Sequence, residues 1–258
     1  MVSSERICDG RLKMPAPIKV ALVAALDREV RPLVKNWRRV EREHEGRHFE
    51  FFESGQAVLV VGGIGAGAAR RATEAAIALH QPELVMSVGF AGALDPGLRV
   101  GEIFEPSRVI DASDGSNVET GAGRGTLVSV ASIAGVEQKR KLAQSYSAGA
   151  VDMEAAAVAR GAQARGLRFM AVKAISDDSD FAMPEMDGFV GGNGEFRTGK
   201  FAVFTVLRPW LWLRVIRLSK NSAKVSRALC AELDRYIEEP KKMEVLQADM
   251  HPISKASN

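Results

Sequence analysis

The sequence predicts a layered α/β domain with a largely parallel or mixed β-sheet. Apolar, β-branched runs alternate along the chain with stretches of helix-forming residues. Several of these apolar runs end in glycine-rich turns, as strands do where the chain turns into a helix. The 258 residues, 46% of them hydrophobic and 26% charged, are enough to bury the core of one large domain.

The first part of the chain contains two units of strand, turn and helix. Residues 18–26 (IKVALVAAL) form an apolar run typical of a strand buried on both faces. Residues 27–40 are predicted to form a helix because acidic residues stand at its start. Residues 51–65 indicate a strand or hairpin ending in glycines, and the Ala-rich residues 66–80 indicate a helix.

The middle of the chain continues this pattern around one long loop. Residues 84–92 (LVMSVGFAG) predict a strand ending in glycines, and residues 101–111 predict another strand. Residues 111–126 are polar and glycine-rich, which indicates a loop long enough to border a functional site. Residues 126–134 predict a further strand.

Three elements complete the predicted sheet and its helices. Residues 151–166 have an acid near the start, helix formers throughout and a glycine at the end, which indicates a helix. Residues 167–177 predict the last strand, and residues 222–238 a closing helix. No internal repeat is visible, so we expect one domain over residues 18–238.

Three segments fall outside this regular pattern. We expect residues 1–17 to be a disordered extension and residues 239–258 a flexible tail. Residues 189–218 form an apolar insertion in which arginines are interleaved with apolar and aromatic residues, two tryptophans among them. One interpretation is a core or dimer-interface helix interrupted at Pro209. The other is that residues 201–218 accept a lipid-like substrate or contact the membrane interface.

Charge and cysteine usage exclude several classes of protein. A net charge of +3, from 35 basic and 32 acidic residues, does not call for a nucleic-acid partner. Cys8 and Cys230 are too far apart to indicate a disulfide framework, and no run of signal-peptide or membrane-spanning length is present. We therefore expect a cytoplasmic protein, with membrane association only through the insertion. Four scattered histidines and two cysteines predict no metal site, and no cofactor is expected.

Three segments of the chain offer carboxylates where strands end. These carboxylates are Glu29, Glu154 and Asp177. Strand ends in α/β sheets border the crevice where ligands bind, so side chains that are distant in sequence can converge there. Each residue also has a purely structural interpretation. Asp177 could cap a helix, Glu29 could complement a helix dipole, and Glu154 could lie on a helix face.

Five motifs together resemble one known family. They are IKVALVAALDREV, VGGIGAGAA, SVGFAGAL followed by VGEIFEPSRVID, VDMEAAAVA, and VKAISDDSD. In this order and spacing they resemble the 5′-methylthioadenosine/S-adenosylhomocysteine nucleosidases and the purine nucleoside phosphorylases related to them. The resemblance covers residues 18–180 and the last helix. It implies a three-layer αβα sandwich around a central mixed β-sheet, and a homodimer.

The resemblance also implies that the chain cleaves the N-glycosidic bond of an adenine nucleoside. Asp177 matches the aspartate that hydrogen-bonds the adenine and protonates its N7 atom. Glu29 matches the glutamate that orients and deprotonates the attacking water. Glu154 matches the carboxylate that accepts hydrogen bonds from the ribose hydroxyls, and Met153 packs on the sugar. Further substrate-binding candidates are Phe90, Ala91, Gly92, Ile133, Ser176, Ile64 and Gly65.

Several departures from the family pattern indicate an unusual 5′ substituent on the nucleoside. Phe90 stands where the nucleosidases usually have a serine, Ile133 where they tend to have an aromatic residue, and Lys173 where an arginine is common. The insertion at 189–218 resembles the hopanoid-associated phosphorylase/nucleosidase branch, whose members remove adenine from adenosylhopane. A lipid-linked nucleoside is therefore one expected substrate, beside methylthioadenosine and S-adenosylhomocysteine.

The sequence leaves the nucleophile and the class of activity open. AALDREV lacks the Gly-Asp-Pro-x-x-Arg type turn with which phosphorylases hold phosphate, so hydrolysis is favoured. Arg28 and Arg70 are close enough in sequence to keep phosphorolysis as a second hypothesis. A non-catalytic nucleoside-binding module and a nicotinamide-dependent oxidoreductase using GGIGAG (62–67) are also compatible with these motifs. The oxidoreductase is disfavoured because no acid follows at the expected distance.

Overall fold

The structure is a computed structural model that describes residues 19–181 and 212–238, with side chains of the last helix from residue 221 onward. The described residues form one eleven-stranded sheet flanked by helices. The predictions for residues 1–17, 189–211 and 239–258 lie outside this range. No helix among the described residues is long and apolar enough to cross a membrane.

Strands and helices alternate along most of the chain. The strands are β1 (Val20–Ala24), β2 (Arg38–His44), β3 (Arg47–Ser54), β4 (Ala57–Val61), β5 (Leu84–Ala93), β6 (Ile103–Phe104), β7 (Arg108–Asp111), β8 (Asn117–Glu119), β9 (Thr126–Ser129), β10 (Ala150–Asp152) and β11 (Arg168–Asp177). The helices are α1 (Asp27–Val34), α2 (Ala66–His80), α3 (Val136–Tyr146), α4 (Ala155–Ala164) and α5 (Trp212–Glu238).

The sheet is mixed, and its centre is parallel. Its main order is β2-β3-β4-β1-β5-β10-β9-β7-β8, with β11 paired to β5 and β6 paired to β11. Leu84 on β5 lies opposite Val20 on β1 and opposite Arg168 on β11, and both pairs are parallel. Because parallel strands end at the same edge, Ala24, Gly92 and Asp177 lie along one edge of the sheet.

Two apolar layers cover the two faces of this sheet, which confirms the predicted αβα sandwich. On one face the alanine-rich helices α2 and α4 pack against the sheet and against each other. Their small side chains allow close approach, since a Cβ atom on Gly161 would lie 2.8 Å from the Thr73 methyl. On the other face α1 and α5 pack together, with Val30 and Leu229 both fully buried. Every residue of β1 is buried between these layers, as its unbroken apolar sequence predicts.

The predicted helix over residues 27–40 is wrong at its end. The helix α1 stops at Val34, and the chain enters the edge strand β2 at Arg38. The sequence RRVEREH carries polar side chains on both faces, so it lacks the alternation that reveals a half-buried strand. Backbone pairing with β3 defines it instead, together with ion pairs from Arg38 to Glu53 and from Arg39 to Glu50.

The segments around the long loop also differ from their predictions. Residues 101–111 form two short strands, β6 and β7, separated by a stretch that contains Pro106. Residues 126–134 are a strand only to Ser129, and the helix α3 that follows was not predicted. Residues 151–166 begin in strand β10 and become helical only at Ala155, because backbone pairing to β5 and β9 takes up the first residues.

Candidate active site

A cavity of about 150 Å³ lies where the central strands end. Open α/β sheets bind ligands at this edge, where loops diverge and leave a crevice. The walls come from the ends of β5, β10 and β11, from the start of α1 and from α3. They are formed by Ala25, Leu26, Arg28, Glu29, Ile64, Phe90, Ala91, Gly92, Val130, Ile133, Ala134, Lys139, Val151, Asp152, Met153, Glu154, Ser176 and Asp177.

The cavity gathers the candidate residues that the sequence placed far apart. Its wall includes the two proposed catalytic carboxylates, Asp177 and Glu29, and the proposed ribose ligands Glu154 and Met153. It also includes Phe90, Ala91, Gly92, Ile133, Ser176 and Ile64. Gly65 lies outside the wall but donates its backbone N–H to Glu154 Oε1 at 2.7 Å. The separate motifs therefore contribute to one site, and the role of each residue stays a prediction.

Asp177 lies at the end of β11 and is 2% exposed. The strand is irregular between Ile175 and Asp177, so its last residues depart from the regular alternation of faces. The Ser176 hydroxyl donates a hydrogen bond to Asp177 Oδ1 at 2.5 Å, and Lys139 Nζ donates one to Oδ2 at 2.5 Å. Asp177 is thus held by a hydroxyl and a buried cation.

The sequence analysis missed Lys139, which completes this corner of the cavity. Lys139 lies in the unpredicted helix α3 and is 2% exposed, although it stands in the charged stretch EQKRK. Leu142 follows it by three residues and is also buried. That i, i+3 spacing on a helix places both residues on the inner face, and it was the one signal in the sequence.

Glu29 is 5% exposed and lies in the first turn of α1. This position agrees with the structural interpretation, in which Glu29 complements the helix dipole. The residue also lines the cavity. Burial raises the pKa of its carboxyl, and the charge of Lys173 opposes that rise. The backbone N–H of Leu26 donates to Glu29 Oε2 at 3.2 Å. Because its pKa is raised, the ionised carboxylate is a stronger proton acceptor than an exposed glutamate.

A glycine of β5 and a hydroxyl of α5 determine the position of Glu29. Gly89 adopts a φ of +143°, and a Cβ atom there would lie 2.8 Å from Glu29 Oε2. Only glycine therefore allows β5 to approach this carboxylate. On the other side of α1, the Ser226 hydroxyl of α5 donates to the Glu29 carbonyl at 3.0 Å. The last helix thereby contributes to the position of Glu29.

Glu154, the N-cap residue of α4, is partly exposed to the cavity. Burial raises the pKa of its carboxyl to about 7, and the neighbouring carboxylate of Asp152 contributes to the rise. The charge of Lys173 and the N–H of Gly65 act in the opposite direction. Glu154 can therefore accept hydrogen bonds from hydroxyl groups as an anion above this pH.

Lys173 and Asp152 form a buried pair behind Glu154. Lys173 Nζ lies 2.9 Å from Asp152 Oδ2 and 3.0 Å from the Ser87 hydroxyl, and its side chain is 1% exposed. Asp152 also accepts a hydrogen bond from the Ser129 hydroxyl at 2.5 Å. The lysine that replaces the arginine of the resembled family thus supplies positive charge to a cluster of carboxylates.

The two arginines considered for phosphate have different positions. Arg28 lines the cavity. Arg70 lies on the exposed side of α2, where its side chain is 60% exposed and pairs with Glu74 at 3.2 Å. The glycine turn at 62–67 also differs from a dinucleotide site, because the N–H of Gly65 binds the Glu154 carboxylate rather than facing open space. These positions leave Arg28 as the arginine that faces the cavity and weaken the oxidoreductase hypothesis.

Comparison with known proteins identifies the family. The model of the phosphorylase superfamily matches residues 19–130 and 121–190, which together make up more than half of the chain. The chain belongs to the phosphorylase superfamily. A 5′-methylthioadenosine/S-adenosylhomocysteine nucleosidase of a Marinomonas species is 33% identical over 95 residues, which cover 35% of this chain and 41% of that protein. This match therefore spans less than half of the curated relative.

Solved structures agree on the superfamily fold over a longer range. The 5′-methylthioadenosine nucleosidase of Arabidopsis thaliana superposes with a TM-score of 0.67 and 19% identity, covering 86% of this chain and 96% of that one. The futalosine hydrolase of Helicobacter pylori gives a TM-score of 0.61 and 18% identity, covering 84% and 98%. At this identity the similarity extends to the fold of this phosphorylase superfamily member and not to its substrate.

Proposed function

We propose that this protein cleaves the N-glycosidic bond of an adenine nucleoside and releases adenine, with water as the nucleophile. The observation that carries the proposal is the meeting of three carboxylates from distant segments, Glu29, Glu154 and Asp177, in one cavity. Breaking the bond leaves positive charge on the sugar and negative charge on the base. The site therefore needs a proton source at the base and anions near the sugar.

The three carboxylates divide these tasks. Asp177 hydrogen-bonds the adenine and delivers a proton to N7, so that the base leaves as a neutral molecule. Glu29 takes a proton from the attacking water, and its buried carboxyl suits this because burial raises its pKa. Glu154 accepts hydrogen bonds from the ribose hydroxyls, with Met153 against the sugar. The relatives named above include nucleosidases for methylthioadenosine and adenosylhomocysteine, which supports this class of reaction.

Hydrolysis is preferred to phosphorolysis because the described cavity wall carries one arginine, Arg28, while Arg70 points to solvent. Phosphorolysis remains the second candidate on account of Arg28. A product assay decides between them. We expect free ribosyl product and adenine in the absence of phosphate, at a rate that added phosphate leaves unchanged. A sugar 1-phosphate formed only with phosphate would overturn hydrolysis.

The 5′ end of the substrate is proposed to be large and apolar. Phe90 and Ile133 line the cavity at positions where the resembled nucleosidases carry a serine and an aromatic residue. Offering adenosylhopane, methylthioadenosine and S-adenosylhomocysteine in parallel tests the idea. We expect the lipid nucleoside to give the highest kcat/KM. Higher values for both of the small nucleosides would contradict it.

The segment 201–218 can be tested in the same assay. Changing Trp210 and Trp212 to serine should abolish turnover of the lipid nucleoside and spare methylthioadenosine, because only the lipid needs an apolar surface. Equal loss on both substrates would count against a role in lipid recognition. Binding of adenosine derivatives without release of adenine would instead indicate a nucleoside-binding module.

A further inference from the structure

The charged group that holds Asp177 is a buried lysine. Lys139 Nζ donates to Asp177 Oδ2 at 2.5 Å and to the Asp178 carbonyl at 2.8 Å, and both side chains of the ion pair are 3% exposed. Lys139 also belongs to the cavity wall. The contact is therefore part of the site and not a surface ion pair.

This pairing creates a difficulty for Asp177 as an independent acid. Both of its carboxyl oxygens accept hydrogen bonds, Oδ1 from the Ser176 hydroxyl and Oδ2 from Lys139 Nζ, so in this arrangement neither oxygen donates a proton to the base. A bare carboxylate would also repel the negative charge that grows on the departing base. Asp177 can protonate the base only if a proton reaches it. Two groups donate to it at 2.5 Å, the Ser176 hydroxyl and the Lys139 ammonium group, and the ammonium group is by far the stronger acid.

We propose that Lys139 supplies the proton that Asp177 delivers to the base. The inference rests on the proposed function. As the bond between the base and C1′ breaks, its electron pair moves to the base, and N7 takes a proton from the Asp177 carboxyl. That carboxyl receives a proton from Lys139 Nζ, which becomes a neutral amine. Water adds to C1′ and gives its proton to Glu29. Glu29 then releases that proton to solvent, and solvent returns one to Lys139, which restores the ammonium group.

Burial favours this transfer. In water the ionic pair of ammonium and carboxylate is far more stable than the neutral pair of amine and carboxylic acid. Removing both charges from solvent destabilises the ionic pair, and this brings the two forms closer in free energy. The direct contact gives the proton a path from Lys139 Nζ to Asp177 Oδ2 with no group between them.

Other charged groups around the cavity have their own partners or lie on other walls. Lys173 of β11 is paired with Asp152 of β10, so it does not replace Lys139. Glu29 of α1 and Glu154 of α4 contribute negative charge from the sugar side of the proposed site, and Arg28 contributes positive charge. On α3 itself, Glu137 lies on the exposed side and pairs with Arg140 and Lys141.

Two substitutions at one position separate proton supply from support of the structure. Lys139→Arg keeps the positive charge, but a guanidinium group does not release its proton in proteins. We expect kcat for adenine release to fall by about 100-fold or more at every pH. Lys139→Met removes the ammonium donor, so Asp177 has to take its proton from the solvent, which supplies it only at acidic pH. We expect this variant to recover activity at acidic pH. The fall of its kcat toward alkaline pH should begin at a lower pH than in the wild type.

The order of the two variants is the critical result. If Lys139 only positions Asp177, the arginine variant stays within about threefold of the wild type with the same alkaline limb, and the proposal is overturned. Lys141→Arg, an exposed lysine on the same helix, is the matched control and should match the wild type. A nitrophenyl riboside has a leaving group that needs no proton. Its cleavage therefore shows whether the active site of each variant is still correctly folded. Both variants should cleave this riboside at the wild-type rate, and parallel losses on both substrates would overturn the proposal.

The same assay distinguishes failure of this inference from failure of the proposed function. A wild-type protein that releases adenine while Lys139→Arg does so equally well refutes only the proton supply. A wild-type protein that cleaves no nucleoside, with or without phosphate, refutes the proposed function and the inference with it.

Discussion

Replacing Glu154 by glutamine should make the stability of the protein less dependent on pH. Glu154 titrates at about 7 in the folded protein against an ordinary value of 4.5. Between these values the folded state holds the proton more tightly than the unfolded state, so wild-type stability falls as the pH rises. The penalty is absent below about pH 4.5 and complete above about pH 7.

The structure sets the size of this effect. At about 1.4 kcal/mol per pKa unit, the shift corresponds to about 3 kcal/mol for a fully buried carboxyl. Part of the Glu154 side chain faces the cavity, and solvent screens that part, so we expect about 2 kcal/mol. Glutamine keeps an oxygen for the N–H of Gly65 but carries no charge to repel Asp152.

Urea unfolding at pH 5 and pH 8 measures the effect. On going from pH 5 to pH 8, the free energy of unfolding of the variant should rise by about 2 kcal/mol relative to that of the wild type. This corresponds to about 4–8 °C in Tm. Glu119→Gln, an exposed position on β8, supplies the baseline for exchanging a surface carboxylate. The reasoning would be refuted if the difference in free energy of unfolding between Glu154→Gln and the wild type changed by less than about 0.5 kcal/mol between the two pH values.

Three more substitutions probe contacts of the same site. Asp177→Asn should lower kcat by about 10²–10⁴-fold while nucleoside binding, measured by calorimetry, changes little, and an unchanged kcat would exclude the acid role. Lys173→Met should cost about 3–5 kcal/mol in urea unfolding at pH 8, because it leaves buried carboxylates without a counter-charge. A cost below about 1 kcal/mol would show that the cluster is not held by this charge. Gly89→Ala should displace Glu29 and lower kcat by about tenfold or more, since the new Cβ would lie 2.8 Å from the carboxylate. Gly115→Ala, also at positive φ but with open space around it, should leave kcat unchanged.

The central layers could be predicted because local sequence patterns determine the structure of their strands and helices. The apolar runs of β1, β5 and β11 are buried on both faces, and continuous hydrophobicity is the sequence pattern of such strands. The alanine-rich helix α2 has the bounds that were predicted for it. The gathering of Glu29, Glu154 and Asp177 followed from the general tendency of strand ends to meet at one edge.

The peripheral elements could not be predicted because long-range pairing creates them. The edge hairpin of β2 and β3 carries charge on both faces, and its register comes from backbone bonds and cross-strand ion pairs. The strand β10 has three residues, too few for any periodic pattern, and exists because β5 and β9 lie beside it. The sequence of α3 is typical of a solvent-exposed, charged segment. Only the structure shows that one face of this helix is buried against the cavity.

The sequence by itself determined the family, the αβα layers and the carboxylates that line the cavity, since these depend on local hydrophobicity and on motifs in a fixed order. Only the tertiary structure decided which charges neutralise those carboxylates. Lys173 sits within an apolar strand and Lys139 within a charged helix, and neither position reveals a partner. Their roles come from direct contacts between residues 21 and 38 positions apart, where burial makes an unpaired charge too costly to keep.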